Sequence, residues 1–257
     1  MNMTQQQQLA EAFHALHQPG SPVILFNVWD AGSAKAVVGA GAKAVATGSA
    51  SVAGAFGFRD GEAVPFDLVL DNAARIVAAV EQPVSLDFEG GYSTDNAQLA
   101  KNFARVLASG VIGCNFEDQI VGGVGLHSLD VQADRIRALR EAASESAVDA
   151  FINARTDVFL KAPNTTHTAA MVDEAIERAK AYASAGANGF FVPGLIDDSL
   201  IAQVCEMSPL PVNIIMFPGV AAPARLAELG VARISHGPGP WRNSMRILGE
   251  AATAAMA

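Results

Sequence analysis

Eight short β-rich apolar runs, each followed by an Ala-rich stretch of helical character, set the tightest limit on what this chain can fold into. The strand-like runs fall at residues 23–27, 44–47, 84–88, 111–116, 150–154, 189–192, 212–216 and 232–235. Helical stretches follow from near Asp30 and at about 66–80, 95–108, 128–143, 171–185, 197–207, 221–229 and 240–249, with a long loop before the second. Alternation of this kind predicts a parallel sheet with right-handed crossovers. Eight units predict closure into a (β/α)8 TIM barrel of the α/β class, one domain over residues 1–257, the usual size for that architecture. Gly41, Gly110, Gly186 and Gly230 precede strands, where a left-handed residue ends a helix. The first strand–helix turn lacks the G-x-G-x-x-G phosphate loop of dinucleotide-binding sheets.

Composition narrows the class further. Apolar residues make up 51% of the chain but aromatics only 7%, so small aliphatic side chains fill the core. A formal charge of −9 argues against a nucleic-acid partner. No apolar run is long enough to span a membrane, and the N-terminus has no signal-peptide core, so we expect a cytoplasmic protein. Cys114 and Cys205 lack metal-ligand spacing; Cys114 reads as a buried strand residue in a reducing compartment. The Gln5 to Gln8 run reads either as a low-complexity tail or as an N-terminal helix capped by Thr4, with Leu9, Phe13 and Leu16 on one face; the spacing favours the helix. The VGGVG stretch at 121–125 follows a strand and suits a mobile lid.

Barrel enzymes carry their reactive groups just past the C-terminal ends of the strands. At those positions stand Asn27 and Asp30 after the first strand, Arg59 and Asp60 in the second loop, Asp87 and Glu89 after the third. Glu117 and Asp118 follow the fourth strand, Arg155 and Asp157 the fifth. Two residues apart on a regular strand, Asp87 and Glu89 would face the same side and meet Glu117 at the mouth. Carboxylates about 4 Å apart at an effective dielectric of about 20 repel by roughly 4 kcal/mol per pair. Protonation or a bound cation relieves that repulsion, and hard oxygen ligands suit Mg2+, with Mn2+ as the alternative. Asp87 is the expected direct ligand. Against this stands the plain reading, in which such acids cap helices, as Asp95 and Asp197 would, or pair with arginine, as Asp118 and Asp157 would. Arg155 is either a salt bridge inside the cluster or a fork for a substrate carboxylate. The Gly48-Ser49-Ala50 turn offers backbone amides to an anion.

Six segments in barrel order carry a resemblance: FNVWDAGSA at 26–34, ATGSASVAGAFGFRDG at 46–61, SLDFEGGY at 85–92, NFEDQ at 115–119, NARTD at 153–157 and LGVARISHGPG at 229–239. Together they resemble the isocitrate lyase/phosphoenolpyruvate mutase superfamily over nearly the whole chain. The resemblance implies a Mg2+-bound 2-oxo acid or its enolate, with Asp87 as direct metal ligand and Asp60, Glu89 and Glu117 around it. It implies Gly48, Ser49, Ala50 and Asp87 at the substrate, Arg155 as active-site arginine, and a homodimer or homotetramer that exchanges its C-terminal helix.

One segment departs from the pattern. Lyases of this superfamily carry K-[KR]-C-G-H in the loop after the fourth strand, whereas residues 119–127 here read QIVGGVGLH, without Cys, Lys or the Asn-Ser pair of the mutases. His127 is the titratable group left in that loop and is the candidate acid or base beside Glu117 and Arg155; His236, after the eighth strand, is another. Each also reads as an ordinary polar side chain. Three functions follow: a Mg2+-dependent C–C lyase or hydrolase of a small 2-oxo or 2-hydroxy (di)carboxylate, a P–C bond enzyme acting on phosphonopyruvate, or an oxo-acid binder without catalysis.

Overall fold

The computed structural model describes residues 3–257. The chain begins with helix α1 (Met3–Ala15) and then alternates: β1 (Val23–Leu25), α2 (Ala31–Gly39), β2 (Val45–Ala46), α3 (Ser49–Phe56), α4 (Phe66–Ala79), β3 (Val84–Asp87) and α5 (Asn96–Ala108). The second half continues with β4 (Gly113–Glu117), α6 (Leu129–Glu145), β5 (Phe151–Arg155), α7 (Ala169–Ser184), β6 (Gly189–Phe191), α8 (Asp198–Met207), β7 (Val212–Ile215), α9 (Pro223–Glu228), β8 (Arg233–Ser235) and α10 (Gly239–Met256). All neighbouring strands pair in parallel, in the order β1-β8-β7-β6-β5-β4-β3-β2. A parallel bridge between Val28 and Thr47 joins the two ends and makes the sheet a barrel. The Val28 amide donates to the Ala46 carbonyl at 2.9 Å, and Asn27 Nδ2 donates to the Thr47 carbonyl at 2.8 Å. The (β/α)8 expectation holds.

Local rules account for the element ends. Asp30 caps α2 in a capping box with Ser33, Asp95 caps α5, and Asp197 caps α8 through the Ser199 and Leu200 amides. The four glycines expected at helix ends adopt φ between +91° and +103°. At Gly110 an added Cβ would also lie 2.7 Å from Val77, so glycine is required twice over. Helix α1 closes the N-terminal end of the barrel. Phe13 is fully buried, and Gln6 donates to the Leu107 and Val111 carbonyls. Thr4 lies inside this helix instead of capping it, which corrects the cap reading.

Two helices differ from expectation. The segment read as a loop after β2 contains α3, whose Gly54 has no room for a Cβ because the Trp241 ring lies 2.5 Å from where it would be. Helix α10 runs seven residues beyond the expected end at 249, and only Pro240 in it is buried. Among the described residues, no helix is long and apolar enough to cross a membrane.

Candidate active site

Two adjoining cavities occupy the C-terminal mouth of the barrel. One, of about 220 Å³, is lined on its polar side by Asn27, Gly48, Ser49, Asp87, Asn115 and Arg155, with Ala50 and Asp60 beside them. The other, of about 180 Å³, is lined by Ser49, Asp60, Gly61, Glu89, Glu117, Gln119 and Arg155. Ser49, Asp60 and Arg155 line both. The expected carboxylates and the Gly48-Ser49-Ala50 turn therefore face one region.

Each acid arrives there by its own route. Asp87 ends β3, and its Oδ2 accepts the Ser49 amide at 3.0 Å, while Oδ1 is buried with no partner. Burial raises its pKa, against the pull of Arg155 and the Ser49 amide. Glu89 does not follow by strand alternation, because β3 has already ended. Its backbone turns left-handed at φ +51°, and Oε2 accepts the Gly61 and Glu62 amides at 2.9 and 2.8 Å. Burial, then the charge of Asp87, pushes the Glu89 carboxyl up to about 8. Glu117 ends β4 in register with Arg155 and pairs with its Nη1 at 2.8 Å. Burial lifts the Glu117 carboxyl, and Arg155 pulls it back.

Arg155 satisfies both of its readings. Asp157 holds it through Nε at 2.6 Å and Nη2 at 2.9 Å, Glu117 holds Nη1, and the guanidinium still lines both cavities. Burial opposes its charge, but Glu117 and Asp157 outweigh that and hold it above the ordinary arginine value. Asp118 is structural. It accepts the Asp157 amide, Arg178 Nη1 at 3.1 Å and the Tyr182 hydroxyl at 2.8 Å, which anchors the loops after β4 and β5 to α7.

Among the described residues, no three His, Cys, Asp or Glu side chains converge into a ready cage for a metal ion. Glu89 Oε2 accepts backbone amides and Glu117 Oε2 pairs with Arg155, whereas Asp87 Oδ1 has no partner. The 119–127 loop folds as a tight turn with Gln119 bridged to Leu126. His127 lines neither cavity. Its amide donates to Asp118 and its carbonyl accepts from Arg178, while burial and Arg135 lower its ring pKa. His236 also lies outside both cavities, with its ring against Phe26 at 4.8 Å. The structure thus brings neither histidine to the acids.

The rest of the wall carries no such motif. Phe191, Pro193, Ile215 and Phe217, from β6, β7 and their loops, form an apolar arc opposite the acids, with Leu160 beside it. Arg242, early in α10, lines the same cavity and makes no side-chain ion pair among the described residues. Asn115, within the NFEDQ segment, stands in register with Asp87 and Asn153. Its inward position two residues before Glu117 was the available signal; nothing in the sequence marks Arg242.

The phosphoenolpyruvate phosphomutase family matches residues 13–256. A Burkholderia cenocepacia J2315 protein of known structure, provisionally named a phosphonomutase, is 46% identical, with a TM-score of 0.95 over 97% of this chain and 99% of that one. An uncharacterised Mycobacterium tuberculosis (strain ATCC 25618 / H37Rv) protein is 33% identical over 95% of this chain and 88% of its own. The 2-methylisocitrate lyase of Escherichia coli (strain K12) is 26% identical over 79% of this chain and 68% of its own. That relative is a carbon–carbon lyase, and the fold described above fits an enzyme of this type.

Proposed function

As the chain belongs to the isocitrate lyase/phosphoenolpyruvate mutase superfamily, we propose that it cleaves a C–C bond in a small 2-oxo or 2-hydroxy (di)carboxylate with the help of Mg2+. The observation that carries this reading is the orphaned Asp87 Oδ1, a buried hard oxygen donor beside two adjoining cavities lined by three further acids and one fixed arginine. Asp87 would hold the ion, and Asp60, Glu89 and Glu117 would surround it with negative charge. When bound, such an ion supplies Lewis-acid stabilisation of charge developing on a 2-oxo oxygen.

The chain's own residues do the remainder. At the N-terminus of α3 the Ser49 amide is taken by Asp87 Oδ2, whereas no intrahelical carbonyl reaches the Ala50 amide, so the turn suits a carboxylate there. Arg155 cannot swing away, because Asp157 and Glu117 grip three of its nitrogens, and it meets the same carboxylate from the other side. The apolar arc keeps water from the bond being broken. A carboxyl lifted by burial, as at Glu117, holds or takes a proton near neutral pH. The cavity of about 220 Å³ lies below the 300–1,000 Å³ usual for drug-sized ligands, which fits a small acid.

A second reading, P–C bond chemistry of the hydrolase or mutase type, is favoured by the 46% identical relative's provisional name, a phosphonomutase. The test is a substrate panel with and without EDTA. Loss of turnover on chelation, and loss of both metal and activity in Asp87→Ala, are expected; full activity in the metal-free protein would overturn the proposal. Phosphate release from phosphonopyruvate, with no cleavage of any C–C substrate, would decide for the second reading.

We also propose an assembly of two or four copies. Ile24 on the outer face of β1 and Phe26 just after it are 46% and 44% exposed, and they line a groove of about 910 Å³ between α1 and α2. Met245, Ile247 and Leu248 on α10 are exposed as well. Exchange of α10 between copies would cover both surfaces.

A further inference from the structure

Below the cavity floor runs a chain of buried amides. Asn213 Nδ2 donates to the Ile214 and Arg233 carbonyls, so its Oδ1 faces Asn153, whose Nδ2 donates to it at 3.0 Å. The same Asn153 Nδ2 donates to Asn115 Oδ1 at 2.9 Å. Gly189 makes room for this, since a Cβ there would lie 2.5 Å from Asn153 Oδ1. At the other end Arg233, fully buried, donates from Nη2 to Asn115 Oδ1 at 2.9 Å. A guanidinium can only donate, so the atom facing it must be the Asn115 oxygen. The Asn115 amide is therefore pinned from two sides. Its Nδ2 makes no hydrogen bond within the described protein, although Asn115 is only 5% exposed and lines the 220 Å³ cavity.

Arg233 itself is an expensive residue to place there. Its Nε and Nη1 have no partner, no carboxylate pairs with it, and beneath it lies the Phe13 ring at 5.9 Å. Burying an unpaired charge is strongly unfavourable, and burial brings its pKa down to about 9 against the attraction of Asp87. An apolar residue would fill a barrel interior at less cost. What the guanidinium does supply is a charge-assisted hydrogen bond to an amide oxygen, which draws electron density from the amide and strengthens its N–H groups as donors.

We propose that Asn115 is a substrate-contacting residue, its Nδ2 donating to the oxygen that becomes negative as the bond breaks, and that Arg233 is a positioning residue that orients and polarises this donor from below. The assignment deepens the proposed function and rests on it. Asp87 is the register partner of Asn115 on the neighbouring strand, so the donor and the free carboxylate oxygen flank the same part of the cavity. The donor is part of the folded framework and needs no reorganisation when charge appears, the condition under which such groups are most effective.

The experiment is calorimetric titration of oxalate, a planar dianion shaped like the enolate of a 2-oxo acid, into protein saturated with Mg2+. Each variant is paired with a melting curve. Asn115→Asp keeps an acceptor for Arg233 and Asn153 but loses the donor; Asn115→Ser removes the amide without adding charge and serves if the first does not fold. Both are expected to weaken oxalate binding on the order of 10- to 100-fold. Arg233→Met is expected to melt at the wild-type temperature or above it, since an unpaired buried charge is gone, yet to bind oxalate roughly 3- to 10-fold more weakly. Wild-type affinity in both Asn115 variants overturns the inference and leaves the proposed function standing. Arg233→Met that melts lower and binds normally overturns the positioning role. No oxalate binding by the wild type overturns both this inference and the function it rests on.

Discussion

Replacing Glu89 by Gln should stabilise the metal-free protein, and by an amount that depends on pH. Glu89 is 6% exposed and has no cation in contact with it; its carboxyl sits at about 8 in the folded protein against an ordinary value of 4.5. A group whose folded value is raised stabilises fully below its unfolded value, and that contribution is lost as pH rises through the folded one. At pH 7 the loss amounts to about 3 kcal/mol, at 1.36 kcal/mol for each unit above 4.5. Gln carries no charge to desolvate. Its carbonyl can accept the Gly61 and Glu62 amides that Oε2 accepts at 2.9 and 2.8 Å, and the Tyr92 hydroxyl can rotate to accept from its amide. For a chain of this size, 1 kcal/mol moves the melting temperature by about 2–4 °C, so Glu89→Gln should melt roughly 6–12 °C higher at pH 7 in EDTA. At pH 5 the gap should shrink to about 1–3 °C. Scanning calorimetry at pH 5, 6, 7 and 8 reads this directly. A gap independent of pH, or a lower melting temperature for Glu89→Gln at pH 8, would refute the reasoning. Saturating Mg2+ should close the gap, because an ion that favours ionised Glu89 stabilises only the wild type.

Three further outcomes are expected. Mg2+ binding should release protons between pH 6 and 8 and tighten as pH rises, because the ion favours ionised carboxylates and Glu89 holds its proton up to about 8; titration in two buffers of different ionisation enthalpy checks it, and equal heats would contradict it. Arg155→Met leaves Glu117 and Asp157 buried without their cation, so chemical denaturation at pH 7 should show a loss of about 3–5 kcal/mol; an unchanged midpoint would mean those acids are balanced elsewhere. Leu248→Glu places a charge on the exposed face of α10 and should lower the mass seen by light scattering to that of one chain, whereas an unchanged assembly would rule out exchange through this face.

The barrel was legible because its signals are local and repeated. The apolar runs, the Gly stops and the Asp caps each need only a few neighbouring residues, and Asp30, Asp95, Asp197 and the four glycines behave as their positions require. Helix α3 was missed for the opposite reason. SASVAGAF looks like a small-residue loop, and what fixes it is Trp241, nearly two hundred positions away, packed where Gly54 has no side chain. Asp87, Glu117 and Arg155 follow from strand register. Glu89 reaches the site through a left-handed turn that alternation does not foresee. His127 was chosen as the titratable group left in its loop, but the Asp118–Arg178 anchor fixes its backbone away from the acids. Arg242, early in α10, and the apolar arc of β6, β7 and the loops after them converge only in three dimensions.

The seam between β1 and β2 has a consequence for how such a protein can change. Closure there depends on Val28, Thr47 and the Asn27 amide, and the same turn runs straight into Ser49, which holds Asp87. An insertion at this seam would unzip the wall and tilt the Asp87 carboxylate in one stroke. On the far rim, Leu160, Pro193 and Phe217 sit in loops that contribute nothing to ring closure. Descendants of this sequence are free to acquire new tastes through those three loops while the chemistry opposite stays untouched.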